Sequence, residues 1–162
     1  MFTIHPMTSE DRTPVMAIFN HYIEHSFAAY PEKPLPEEFF DMMLGAPKGL
    51  PALRLAKDEE TVGFGMLRPW NPFPAFAATA EISYFISPEH TGRGGGILLL
   101  QELLTRGKAQ GISSVLAGIS SLNDASFAFH SANGFSRCGT FPEIGTKQGR
   151  DFDVIWMIRK LG

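Results

Sequence analysis

Residues 84–104 read YFISPEHTGRGGGILLLQELL. Tyr84 to Ser87 reads as the end of a strand that stops at Pro88. Gly92, Gly94, Gly95 and Gly96 then put four glycines within five positions. Ile97, Leu100, Leu103 and Leu104 recur at helical spacing, and Gly111 is a natural stop. Glycines between a strand and a helix let the backbone approach a ligand closely and expose several N–H groups. The helix N-terminus adds a partial positive charge, so the turn suits a phosphate or pyrophosphate. Arg93 can add a charge-assisted hydrogen bond. A turn that only connects strand to helix is the plainer alternative. Two other phosphate motifs fail here. No Lys-Ser or Lys-Thr follows the glycines, as a P-loop requires, and the third glycine of a dinucleotide fingerprint would fall on Ile97.

Upstream, Phe2 to His5 predicts a short strand. Thr13 is a candidate helix cap with Pro14 at the first helical position. Val15, Ile18, Phe19, Tyr22 and Ile23 form one apolar helical face. A second short helix is expected from near Pro36 to Gly45. Ala52 to Lys57 and Thr61 to Leu67 flank the acidic turn Asp58-Glu59-Glu60 as a hairpin. Pro69 to Pro74 is a loop, and Ala78 to Ser87 a longer strand. Downstream, Ser114 to Ile119 predicts a strand and Asp124 to Ala132 a helix ended by Gly134. Two final strands, Arg137 to Ile144 and Asp151 to Arg159, flank the turn Thr146-Lys147-Gln148-Gly149. The order is β-α-α-β-β-β-α-β-α-β-β. This is an α/β (α+β) chain with about seven strands in a mixed, mostly antiparallel sheet, flanked by about four helices.

The chain of 162 residues fits a single domain over 1–162, since domains typically run to ~100–200 residues. Fourteen Lys and Arg stand against 17 Asp and Glu, a net charge of −3. That excess of acid argues against nonspecific nucleic-acid binding. No apolar run approaches the ~18–20 residues of a membrane span, and residues 1–12 lack a signal-peptide pattern. One cysteine, Cys138, permits no internal disulfide and is expected in a strand or the core. A cytoplasmic setting follows most simply. His5, His21, His25 and His90 lack metal-ligand spacing with other ligands, so no metal is expected.

Three motifs carry a family resemblance. Thr91-Gly92-Arg93-Gly94-Gly95-Gly96 is similar to the acetyl-CoA loop Q/R-x-x-G-x-G/A of the GNAT N-acetyltransferases, with Thr91 in place of Gln or Arg. Asn123-Asp124-Ala125-Ser126, His130 and Gly134-Phe135 resemble the family segment that contacts the pantetheine and phosphate arm. Gly145-Thr146-Lys147-Gln148-Gly149-Arg150 with Asp153 resembles a signature of the phosphinothricin and methionine sulfoximine branch. Asn20-His21-Tyr22 and His25-Ser26 resemble that branch too.

The resemblance implies a GNAT fold and acetyl-CoA as cosubstrate. It also implies direct transfer to the amine of a small molecule, and a homodimer with Lys147–Asp153 near its interface. Residues 91–97, ending at Ile97, together with Asn123 and Ser126, become cofactor-binding candidates. Such a transfer needs an amine base, an oxyanion donor and a proton for the leaving thiolate. Glu81 matches the branch's catalytic Glu, and desolvation in its apolar strand is expected to raise its pKa. The alternative is a solvent-facing strand Glu. His130 sits where the family places a Tyr acid; the alternative is a local hydrogen-bonding role. The backbone near Phe85 and Ile86 is the expected oxyanion donor.

Substrate candidates are Tyr30, Trp70, Phe73 and Lys147. The loop from Pro69 to Ala78 holds no Arg or Lys, and Phe27 and Ala29 replace polar threonines of the branch. The acceptor pocket is thus expected to be more apolar than the branch norm. The rival reading is an acyl-CoA-binding module or sensor with catalysis lost.

Overall fold

The computed structural model describes residues 1–162. Its elements are β1 (Phe2–Pro6), α1 (Arg12–His25), α2 (Phe39–Gly45), β2 (Ala52–Lys57), β3 (Glu60–Pro69), β4 (Thr79–Ile86), α3 (Gly95–Ala109), β5 (Ser114–Ser120), α4 (Asp124–Ala132), β6 (Ser136–Lys147) and β7 (Arg150–Lys160). They follow the order read from the sequence. The strands make one seven-stranded sheet, β1-β2-β3-β4-β5-β7-β6. Every neighbouring pair is antiparallel except β4 and β5.

Each face of the sheet has its own core. Leu99, Leu100, Leu103 and Leu104 of α3 bury against Leu53, Leu55, Leu67, Ala80 and Val115. Of the stripe read from the sequence, Leu100, Leu103 and Leu104 are buried, while Ile97 is 42 % exposed and Leu99 packs in its stead. Burying each such side chain contributes ~1.5–3 kcal/mol. On the opposite face, Val15, Met16 and Ile18 of α1 join Phe40 and Met43 of α2 over Phe64 and Met66 of β3. Gly95 lets α3 start hard against the sheet. A Cβ there would come 2.7 Å from Leu55 Cδ2.

Several boundaries differ from expectation, each for a local reason. Thr13 does not cap α1. The chain enters through a 3-10 turn, Ser9–Asp11, capped reciprocally by Thr8 and Asp11. The sequence reading missed this box because its partner is Asp rather than the usual Glu or Gln. α2 begins at Phe39 because Phe39 and Phe40 N–H groups donate to Pro36 and Glu37 carbonyls, closing turns rather than helix. Asp58 and Glu59 form a two-residue turn with φ of 50° and 69°, so Glu60 joins β3. Gln148 and Gly149 do the same between β6 and β7, with φ of 51° and 74°. Lys147 is therefore the last residue of β6, not a turn residue. Cys138 lies on β6 and is exposed.

Asp11 is 5 % exposed yet fully engaged. Its carboxylate accepts the Thr8 N–H and the Thr61 hydroxyl, both at 2.8 Å. Arg54 lies 3.7 Å away. The side chain thus ties the start of α1 to β2 and β3. Removing it leaves the Thr8 amide and the Thr61 hydroxyl without their acceptor, at roughly 1–3 kcal/mol. Asp11→Ala is expected to lower unfolding stability by about 2–3 kcal/mol. Urea denaturation should show a lower midpoint at unchanged slope.

Candidate active site

β4 and β5 pair over only three registers, from Thr79–Ser114 to Glu81–Leu116. β4 then runs on to Ile86 and β5 to Ser120 without pairing. β3 holds the other edge of β4, and β7 the other edge of β5. The split is therefore fixed on both sides. Ser87 N–H donates to Val62 O at 2.8 Å. Donors alternate along an antiparallel ladder, so Ser83 and Phe85 point their N–H groups at β3. Tyr84 and Ile86 point theirs into the split. Phe85 is thereby corrected as an N–H donor: its amide serves β3, and its ring packs against Phe19, Tyr22 and Phe64 on the α1 side.

A cavity of about 530 Å³ occupies the split. Its walls are Ile82–Ile86 of β4, Ala117–Ser120 of β5, the glycine turn and the start of α4. Phe129 and His130 border it on one side of the sheet, Tyr22 and Ala28 on the other. It passes through the sheet. Two ligands entering from opposite faces would meet in it.

Thr91, Gly92, Gly94, Gly96 and Ile97 all line this cavity. Gly94 is the N-cap of α3, at φ 90° and with no side-chain cap bond. The first-turn N–H groups are thus left for a ligand, as a pyrophosphate cradle requires. Arg93 is exposed and Gly95 is buried beneath the turn; neither lines the cavity. Thr91 donates its hydroxyl to Pro88 O at 3.0 Å. Asn123 and Ser126 also line it. Asn123 caps α4, accepting Ser126 N–H at 3.2 Å. This donor set suits the phosphates and amide arm of acetyl-CoA.

His130 is 5 % exposed. Its Nδ1 lies 2.7 Å from the Ser126 carbonyl, which only accepts, so Nδ1 carries the proton. Nε2 then accepts from the Tyr84 hydroxyl, 2.7 Å away. Burial lowers the His130 pKa and pushes the Tyr84 phenol far above its ordinary value. His130 is therefore neutral, with its one ring proton spent on a carbonyl. The group that meets the cavity is the Tyr84 hydroxyl, which His130 holds. Sequence reading missed Tyr84 because only the turn of α4 onto β4 creates the pair.

Glu81 does not line the cavity. It sits at the last paired register, where the split begins. It is opposite Arg68, on the same sheet face. Arg68 Nη2 donates to Glu81 Oε2 at 2.6 Å, and Nη1 to Ser83 Oγ at 2.5 Å. The expected lone, desolvated carboxylate is thus an ion pair. Tyr30 is nearby: burial, then the Glu81 charge, raises its pKa. Trp70 donates its N–H to Thr79 O at 3.3 Å. It packs edge-on against Phe76 at 5.2 Å, while Phe73 is 67 % exposed and joins neither.

Lys147 is corrected outright. It is 1 % exposed. Its ammonium donates to the carbonyls of Ile23, Ser26 and Ala29 at 2.7, 2.8 and 2.6 Å. It binds the loop after α1 rather than a substrate. The rest of the hairpin tip helps. Gln148 N–H donates to Glu32, Tyr30 stacks on Phe152, and Arg150 lies over Phe27. Asp153 accepts the Glu143 N–H at 2.7 Å and closes a bulge in β6.

Residues 15–135 match the Acetyltransferase (GNAT) family. The chain is 34% identical over 163 residues to a phosphinothricin N-acetyltransferase of Streptomyces coelicolor, covering 98% of this chain and 95% of that one. It is 34% identical over 153 residues to an L-methionine sulfoximine/L-methionine sulfone acetyltransferase of Pseudomonas paraeruginosa, covering 91% and 87%. An acetyltransferase from Salmonella typhimurium solved with acetyl-CoA superposes with TM-score 0.93 at 28% identity, covering 100% of this chain and 95% of that one. The chain belongs to the GNAT acetyltransferase family. It is an N-acetyltransferase that uses acetyl-CoA.

The depressed His130 pKa means that the unfolded state binds a proton before the folded state does. Stability is then complete above the ordinary histidine value of ~6.5 and falls as pH drops below it. Urea titrations at successively lower pH should show that fall, and His130→Gln should flatten it. Lys147→Met leaves three carbonyls without their donor and is expected to cost about 3 kcal/mol, read from the urea midpoint.

Proposed function

We propose that this single-domain chain, residues 1–162, acetylates the primary amine of a small amino-acid-like molecule by direct transfer in a ternary complex. The cavity through the split sheet carries this reading, with Glu81 at the last paired register, where the split begins. Acetyl-CoA supplies the activated acetyl thioester. The glycine turn and the first turn of α3 hold its pyrophosphate, aided by Asn123 and Ser126. The Tyr84 and Ile86 amides face the split and stabilise the oxyanion. Glu81 takes the proton from the acceptor amine. Tyr84 rests with its one hydroxyl proton on His130 Nε2 and turns that O–H to the departing sulfur as negative charge develops there.

The relatives named for phosphinothricin and methionine sulfoximine acetylation support the amino-acid-like acceptor. The reading also includes a cytoplasmic homodimer. A free, exposed Cys138 suits a reducing compartment. Phe141 and Ile144, 48 % and 60 % exposed, offer an apolar face on the edge strand β6, near Lys147–Asp153.

Glu81→Gln tests the mechanism. It should cut acceptor-dependent CoA thiol release by ~100-fold or more and leave acetyl-CoA affinity nearly unchanged. Undiminished release would remove Glu81 as the base. Acetyl-CoA binding without release to any amine would favour the acyl-CoA-binding module instead.

A further inference from the structure

Four residues of β5 wall the cavity, Ala117–Ser120, and Gly118 alone among them has no side chain. Its place is filled from the next strand. Gly118 stands directly opposite Trp156 in the β5–β7 register, and residues so paired project from the same face. A Cβ on Gly118 would lie 3.2, 3.3 and 3.5 Å from Cη2, Cζ3 and Cζ2 of Trp156. The benzo edge of the indole therefore lies over the Gly118 Cα. Ala117 and Ile119 bury in the core on the α3 side, so Gly118 and Trp156 face the α1 side. On that face Gly118 follows Leu116, the partner of Glu81 at the last paired register. The indole thus backs the cavity where the split begins. Phe141 meets it edge-on at 6.1 Å. Its N–H is buried and has no hydrogen-bond partner, so the ring is held by shape and not by its polar atom.

A thioester carries three groups in one plane around its carbonyl carbon. The oxygen takes the Tyr84 and Ile86 amides on β4, and the sulfur lies toward the Tyr84 hydroxyl. The amine attacks from outside that plane. The acyl carbon is left the third direction, away from β4 and toward Gly118 on β5. We propose that Trp156 selects the acyl group, by ending the space for it after acetyl. A methyl group fits against Gly118, which presents no Cβ. Each further methylene has to displace an indole already packed on Gly118 and Phe141. Overfilling a packed site forces side chains and backbone to shift, so the selection is steric.

This inference rests on the transfer geometry proposed above, which points the acyl carbon at β5. The test is the binding of acetyl-, propionyl-, butyryl- and hexanoyl-CoA to the full chain by calorimetry, with CoA as the reference and no acceptor present. Butyryl- and hexanoyl-CoA should bind ~10-fold or more weakly than acetyl-CoA. Trp156→Ala should remove that gap and leave the affinity for CoA itself nearly unchanged. Trp156→Phe, a smaller aromatic wall, should admit butyryl-CoA and still disfavour hexanoyl-CoA, and it decides the matter if the alanine variant does not fold. Equal affinity of the unaltered chain for all four thioesters overturns the inference. So does a Trp156 variant that weakens all four alike, as a purely structural role would. Because no acceptor takes part, a failure here leaves the Glu81→Gln release assay untouched, and a failure there leaves this series untouched. The two readings fall separately.

Discussion

The loss of pairing between β4 and β5 after Glu81–Leu116 is the constraint on which the site depends. A sheet that parts in its middle exposes backbone donors that would otherwise be spent on a neighbouring strand. The structure can hold this opening because each diverging strand is fully paired on its far edge. The cavity, the free amides and the meeting of two faces all derive from one interrupted ladder. The glycine turn completes the arrangement, since it opens α3 toward the same gap.

The two faces of the sheet divide the chemistry. On the α3 and α4 side stand the helix N-terminus, Asn123, Ser126 and the Tyr84–His130 pair. On the α1 and α2 side stand Glu81, Arg68 and Ser83, with the loop after α1 that carries Tyr30. Strand periodicity makes this division. Glu81 and Tyr84 are three residues apart, so they project from opposite faces, and one strand serves both sides of the reaction.

Much of this was legible in the sequence. The leucine stripe, the four glycines and the turn residues mark local structure, and local structure follows from neighbours along the chain. The strand and helix order was read correctly for that reason. What was missed depends on pairing across the fold. Arg68 stands 13 positions from Glu81, and only the β3–β4 register sets them opposite each other. Tyr84 meets His130 across 46 positions, and Lys147 reaches carbonyls more than a hundred residues back. Lys147 also misled because a lysine in a motif invites a substrate role, whereas its burial shows a structural one. Thr13 misled for a smaller reason: Thr8 caps the turn that precedes α1 and takes the job first.

The Lys147 ammonium grips main-chain oxygens, not side chains. The shape of the loop after α1 is thereby separated from its composition. Ala28 and Tyr30 can be exchanged for other residues while the carbonyls of Ser26 and Ala29 stay where they are. A chain built this way can vary the side chains of that loop one residue at a time without re-solving the folding of the segment that carries them.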